Sequence, residues 1–292
     1  MKSTNTKKGS FLRNGLLLAA LAISAGPAWG QCTCTQVLSA SPAYGAVVEV
    51  SSGTLCIGAG VTVSGAAIRV TGNDVTICNQ GTISDNYSGN GYGVIDVASG
   101  ITGTVINNLG TINTQTARLR AALTLNNGSS DGGATVVSGA TWQGDLFNSI
   151  TVAPVVHNYA AWSGQMRNLP GGTITNANGA TWSGYLSTSA NLTITNAGTW
   201  SSQVQEAGNR PTINIIQNGG SWTGGVGGSD GSLRIINNAT WTQGFNFPSG
   251  SANTFINTAG ATAGFNGYLG LGGTVALVNN GAMNVNNGMA NI

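Results

Sequence analysis

Side chains able to do acid–base, covalent or metal chemistry are few in this 292-residue chain, and they are dispersed: eight carboxylates, one histidine and four cysteines. The acids are Glu49, Asp74, Asp85, Asp96, Asp131, Asp145, Glu206 and Asp230. Cleaving an acidic polysaccharide needs clustered carboxylates, as an acid/base pair or as a calcium site, with basic residues alongside. No such cluster stands in the linear sequence. Asp74 and Asp96 are separated by about one period of the repeat described below and would stack on adjacent coils, making a cation site; solvated loop acids are the plainer reading. His157 lies in the strand-like run VVHN with no Ser or Cys nucleophile motif nearby, which makes it a surface histidine. The sequence therefore assigns no catalytic residue, no cofactor and no metal ligand, and the chain reads as a non-enzyme.

Cysteine chemistry points to oxidation. Cys32, Cys34, Cys56 and Cys78 all fall near the start of the chain, and Cys32-Thr33-Cys34 has neither the spacing nor the partner His of a metal site. Disulfides stapling an N-terminal cap follow. Cys56 and Cys78, again about one period apart, would occupy one position on neighbouring coils. Strands ~4.8 Å apart lie within disulfide range, although side chains on one face of parallel strands are not ideally aimed. All three pairings stay open. The N-terminal segment through Gly30 reads as an export signal: a basic stretch through Arg13, an apolar run from Leu16 to Ile23, and Ala28-Trp29-Gly30 before Gln31. No apolar segment is long enough to span a bilayer as a helix.

The elements that would position these groups are announced by a beat. Trp142, Trp162, Trp182, Trp200, Trp222 and Trp241 recur with a near-constant period of roughly 20 residues, the mark of one structural unit used many times. Each ends a phrase such as GTITNANGATWSG (172–184) or NLTITNAGTWSS (191–202). Degenerate copies place Ile83, Ile112, Ala263 and Met283 where Trp is expected. Short runs rich in Val, Ile and Thr, bounded by Asn and Gly, are strands and turns, with no helical period between them. So short a period leaves no room for a crossover helix, so each coil must stack on the last and each strand pair with its own copy. The expectation is an all-β, single-stranded parallel β-helix (β-solenoid) of about ten coils of roughly 20 residues.

Two columns follow from that stacking. Asn79, Asn107, Ser138, Asn158, Asn176, Asn196, Asn218, Asn237, Asn257 and Asn279 precede the turn; they either form a hydrogen-bonded ladder or simply supply good turn chemistry. The apolar replacements of Trp argue that its column faces inward. Its neighbours then face outward, so Thr141, Thr181, Ser183, Thr199, Ser201, Ser221, Thr223, Thr240 and Thr242 form a candidate binding face. A two-rank hydroxyl array would suit ice, though Gln143, Ala161, Gly264 and Asn284 interrupt it.

Charge excludes one class of partner. Beyond Arg13 there is no Lys, and six arginines face eight acids, a net −2 with no basic stripe for nucleic acid. The iterated Asn-x-Gly-Thr-Ile and Asn-Ala-Gly-Thr-Trp phrases, after a signal and a CTCT opening (32–35), resemble the adhesin-like β-strand-repeat surface proteins of Gram-negative bacteria. More distantly they are similar to autotransporter passenger and filamentous haemagglutinin solenoids. The likeness spans positions 31–292 and implies a right-handed coil in a secreted or surface-attached adhesin or matrix component. Such proteins usually end in a translocation or sorting domain, whereas here the repeat continues past Met283. The organisation expected is a signal peptide (1–30), a Cys-containing cap and first coil (31–72), and solenoid repeats (73–292), either truncated at the C-terminus or pairing end to end. Expected partners are a host, glycan or abiotic surface, or copies of the chain; ice binding and polysaccharide binding or cleavage are the alternatives.

Overall fold

A computed structural model of the chain describes residues 32–84, 93–115, 117–147, 150–249, 251–266, 269–286 and 290–291. The export segment (1–30), Gln31 and Asp85 lie outside the described residues. Within them every strand pairing is parallel and no helix occurs, as short β-branched runs broken by Asn and Gly require. The strands stack as a β-solenoid of about twelve turns, two more than the ten Asn-bearing phrases give. The extra turns begin at Gln36–Leu38 and Thr54–Ile57, where Leu38 and Ile57 hold the rank that Asn79 takes one coil later.

Two long sheets run the length of the rod. One, the Asn sheet, has twelve strands and includes Gly172–Asn176, Leu192–Asn196 and Thr212–Gln217; the other, the Trp sheet, has eleven and carries the Thr-Trp pairs. The third side is built from four strands in the N-terminal coils and eight from Leu146–Phe147 onward. All six repeating tryptophans are fully buried. Successive rings stack at 4.5–4.9 Å between centroids and within 5° of parallel. Val63, Ile83 and Ile112 precede them in register, and Ala263 and Met283 follow. The volume that Ala263 leaves is taken by Phe245, Phe255 and Phe265, which pack edge-on and offset against one another. Each of the six indole N–H groups donates to a carbonyl two positions ahead, as Trp182 does to Gly184 at 2.8 Å, so none of these buried indoles is left unpaired. That geometry explains the Gly of Trp-Ser-Gly: a Cβ on Gly184 would strike the Gly164 carbonyl.

The Asn column is a ladder, with three members displaced from the expected ones. Asn79 donates to Asn108, Asn108 to Asn127, Asn127 to Asn158, Asn158 to Asn176, and Asn176 to Asn196, at 2.7–2.9 Å. Asn108 rather than Asn107 is the ladder residue, because Asn107 lies one step earlier on the outward rank with Cys78. Asn127 rather than Ser138 belongs to it, since an inserted loop (128–139) separates this Asn from its Thr-Trp pair. Gln217 replaces Asn218 where the turn is one position longer, and its longer arm donates to Gly219 instead of Asn237. The ladder resumes from Asn237 to Asn257 and Asn279. Most rungs also reach across the corner: Asn176 Nδ2 donates to the Thr199 carbonyl, tying the Asn sheet to the Trp sheet. Buried amides that lacked such partners would each cost ~1–3 kcal/mol.

Cys56 and Cys78 do share a rank, as their spacing predicts, but they do not bond to each other. Cys32 pairs with Cys78 and Cys34 with Cys56, at Cα separations of 6.5 and 5.7 Å. Both acceptors point outward from the Asn sheet, between inward Leu55 and Ile57 or Ile77 and Asn79. The N-terminal segment, Leu109 and Val137 of the 128–139 loop cover them in a small second core.

Candidate functional site

The hydroxyl columns beside Trp are where alternation places them, outside. Thr141, Thr181, Thr199, Ser221, Thr240 and Thr262 run in register, with Ala161 the gap, and Thr62, Thr82 and Thr111 extend the column upstream. Those three were legible from their Gly-Thr-Ile and Val-Thr-Val phrases, which put Thr at the same offset before the inward residue. Thr181, Ser183, Thr199, Ser201 and Thr223 are exposed, while Thr141, Ser221, Thr240 and Thr242 are half-buried. The two ranks are not equivalent. Ser183, Ser201, Thr223 and Thr242 turn their hydroxyls back onto the Trp carbonyl of the preceding coil at 3.3–3.5 Å. In the first rank, by contrast, Thr141 donates along the column to Thr111 Oγ1 at 3.3 Å, and Thr181 and Thr199 are exposed.

The carboxylates, dispersed in sequence, are engaged one by one in space. Glu49 meets Arg69 at 2.9 Å, and Asp96, 1% exposed, meets Arg120 at 2.8 Å. Asp96 is thus in register with Arg69 and Arg118, not with Asp74. Asp74 sits at a corner, its backbone N–H bonded to the Thr102 carbonyl, so the expected stacked pair of acids does not form. The reason is chain length: this coil is longer than the mean period, so two acids spaced by that period fall on different sides of the rod. Asp131 accepts from Thr135 N–H and Ser129 Oγ, which hold its carboxyl down to about 2. His157 stands on the outward rank between Asn126 and Thr175, and burial depresses its pKa.

One pair the sequence left scattered is assembled. Glu206 and Asp230 come from successive coils and meet at a corner. Glu206 is 5% exposed and occupies a core-facing rank at the end of Val204–Glu206. Its Oε2 accepts the Asp230 N–H at 3.4 Å, and its Oε1 has no hydrogen-bond partner. Burial pushes the Glu206 carboxyl up, with Asp230 adding to the effect; the neighbouring Glu206 carboxyl, seconded by Ser229, pulls Asp230 down. Arg210 Nε lies 3.9 Å from Asp230 Oδ2. A Cβ at 228 would press on the Glu206 carboxylate, so a larger residue there would displace that side chain.

Beside this pair the third side opens into a trough of about 370 Å³ lined by Gln203, Gln205, Glu206, Gly225, Gly227 and Asn246, among others. A neighbouring depression of about 420 Å³ shares Gly228, Ser229 and Asn246 with it. The sequence signal for this feature was there: GGVGGSDG (224–231) breaks the side-chain pattern of every coil before it.

The fold and its seams define a parallel β-solenoid with a buried Trp stack and an Asn ladder. No family model, curated protein or solved structure matches the chain. Among the described residues no helix is long and apolar enough to cross a membrane.

Proposed function

We propose that the chain is an extracellular structural or adhesive rod that acts through its repeated outer faces and has no enzymatic activity. The observation that supports this most directly is the division of labour within each coil. Inward ranks are committed to the Trp stack and the Asn ladder, so outward ranks present one residue per coil at regular spacing, a surface suited to many weak contacts. Paired carboxylates accord with it: Glu49 and Asp96 neutralise arginines. Disulfides at the N-terminal coils fit an oxidising compartment. The adhesin-like surface proteins that the repeat phrase resembles are a natural class for such a rod. Its partners would be host or abiotic surfaces, glycans, or further copies of the chain.

Purified protein should hold to cells, glycans or solid surfaces, and failure across a broad panel would count against adhesion. A second reading, ice binding, draws on the in-register Thr62, Thr82, Thr111 and Thr141 and on Thr181 with Thr199; it requires thermal hysteresis in solution. Release of unsaturated or reducing sugar ends from polysaccharides would replace both readings with an enzymatic one.

A further inference from the structure

The outward residues of the third side differ in kind from the hydroxyls of the Trp sheet. Successive coils place Gln165, Tyr185, Gln203 and Gly225 at one position, and Ser187, Gln205, Gly227 and Asn246 at the next. Amides, a tyrosine and a serine fill the ranks until Gly225 and Gly227 interrupt both on one coil; Gly244 prolongs the gap in the first rank, and Gly270 follows Asn246 in the second. Gly225 and Gly227 are not required by the protein's own packing. Neither has a positive φ, a Cβ on Gly225 would meet nothing nearer than Gln203 Cγ at 4.0 Å, and one on Gly227 nothing nearer than Asn246 Cβ at 3.9 Å. A glycine inside a strand weakens it and often marks a bulge, a tight bend or the close approach of a ligand or another backbone; the pairing of Val226 and Gly227 is unshifted on both sides. Here the missing side chains are what make the trough.

What the trough could hold follows from its walls. Gln203, Gln205, Gln243 and Asn246 each carry an acceptor oxygen and two N–H donors, the complement of a hydroxyl that both donates and accepts. Tyr185 Oη donates to Gln205 Oε1 at 2.8 Å, fixing that amide so that its N–H groups face away from the tyrosine. Glu206, 5% exposed, lines one edge of the trough, and its Oε1 has no hydrogen-bond partner inside the protein. Glu206 with Asp230 alongside also makes the site unfavourable to anions. We propose that this trough, centred on Gln205, Gly227 and Glu206, is a binding site for an uncharged oligosaccharide lying across the coils. The assignment deepens the adhesive reading above and rests on it.

The test uses the purified chain on immobilised neutral oligosaccharides (glucans, mannans, galactans and chitin oligomers), with uronate and sulfated glycans alongside and a cell-adhesion assay in parallel. Three proteins are compared: the parent, Gly225→Gln/Gly227→Gln, and Thr173→Arg/Thr193→Arg on the Asn sheet. The double glutamine variant restores the residues of the preceding coil in a space open to them, so it should fold and melt at or above the parent temperature. The expected result is binding to a neutral glycan that falls at least tenfold when the trough is filled and is unchanged by the arginines on the Asn sheet. Neutral binding that survives filling, binding to acidic glycans alone, or no glycan binding would overturn the assignment. If cell adhesion persists in those cases, the outer-face reading stands without the trough; if the protein adheres to nothing, both fall.

Discussion

Replacing Trp182 by alanine tests the architecture at its most regular point. The ring is fully buried, its centroid lies 4.8 Å from those of both Trp162 and Trp200, and its N–H is bonded to the Gly184 carbonyl. An indole buries ~150–250 Å², which at ~25 cal/mol per Å² is worth about 4–6 kcal/mol in whole-residue transfer. Alanine retains part of that, and measured Trp→Ala costs run ~3–5 kcal/mol. Two stacked contacts are then lost at ~0.5–1.5 kcal/mol each. Backbone hydrogen bonds fix the coil spacing, so the rings above and below cannot close the gap. The expected destabilisation is about 5–7 kcal/mol, the sum of a truncation in the middle of that range and two lost stacks. Urea denaturation followed by far-UV circular dichroism measures it. Thr181→Ala, one position earlier and outward, should stay within ~0.5 kcal/mol of the parent. A Trp182→Ala cost below ~1 kcal/mol, or a Thr181→Ala cost that exceeded it, would refute an inward Trp seam.

The other expectations are briefer. Non-reducing peptide maps should join Cys32 to Cys78 and Cys34 to Cys56, and removing the Cys34–Cys56 bond should cost ~2–4 kcal/mol; a Cys56–Cys78 peptide would contradict the pairing. Asn176→Leu takes the ladder donor from the buried Asn196 Oδ1 and should cost at least ~1–3 kcal/mol in the same urea assay, whereas Thr175→Ala should be close to neutral. Burial lowers the His157 pKa, so its contribution to stability is full above 6.5 and is lost as pH falls through the folded value. His157→Asn should therefore melt above the parent at pH 5 and match it at pH 8. Glu206 has the opposite sign: burial raises its pKa, so stability is full below 4.5 and falls as pH rises through the raised value. Glu206→Gln should flatten that fall and melt higher than the parent at pH 8; a parent that gains stability on the variant across that range would show the sign to be wrong.

What could be read from the sequence and what could not divide along the faces of the coil. Inward positions are constrained by their own copies above and below, so Trp, Ile, Ala and Met at one offset already declare a core rank, and the parallel pairing follows from the period. Corners are less legible. An insertion such as 128–139 is absorbed at a bend without disturbing either flanking strand, since loop closure costs little more for a longer loop. That freedom is what shifted the ladder from Ser138 to Asn127 and from Asn218 to Gln217. It also separated Asp74 from Asp96 and brought Glu206 to Asp230, because acids at corners obey the length of the intervening turns rather than the mean period. Outward positions carry the least signal. Nothing in the coil below dictates an exposed residue, so a departure there is informative only against the ranks around it. Gly225 and Gly227 are such a departure: they sit in strand and pre-strand positions, have room for a side chain, and follow coils that carry Gln, Tyr and Ser at the same offsets. In a repeat whose inner half is fixed by packing, a break in the outer pattern that packing does not require is what the proposed oligosaccharide site accounts for.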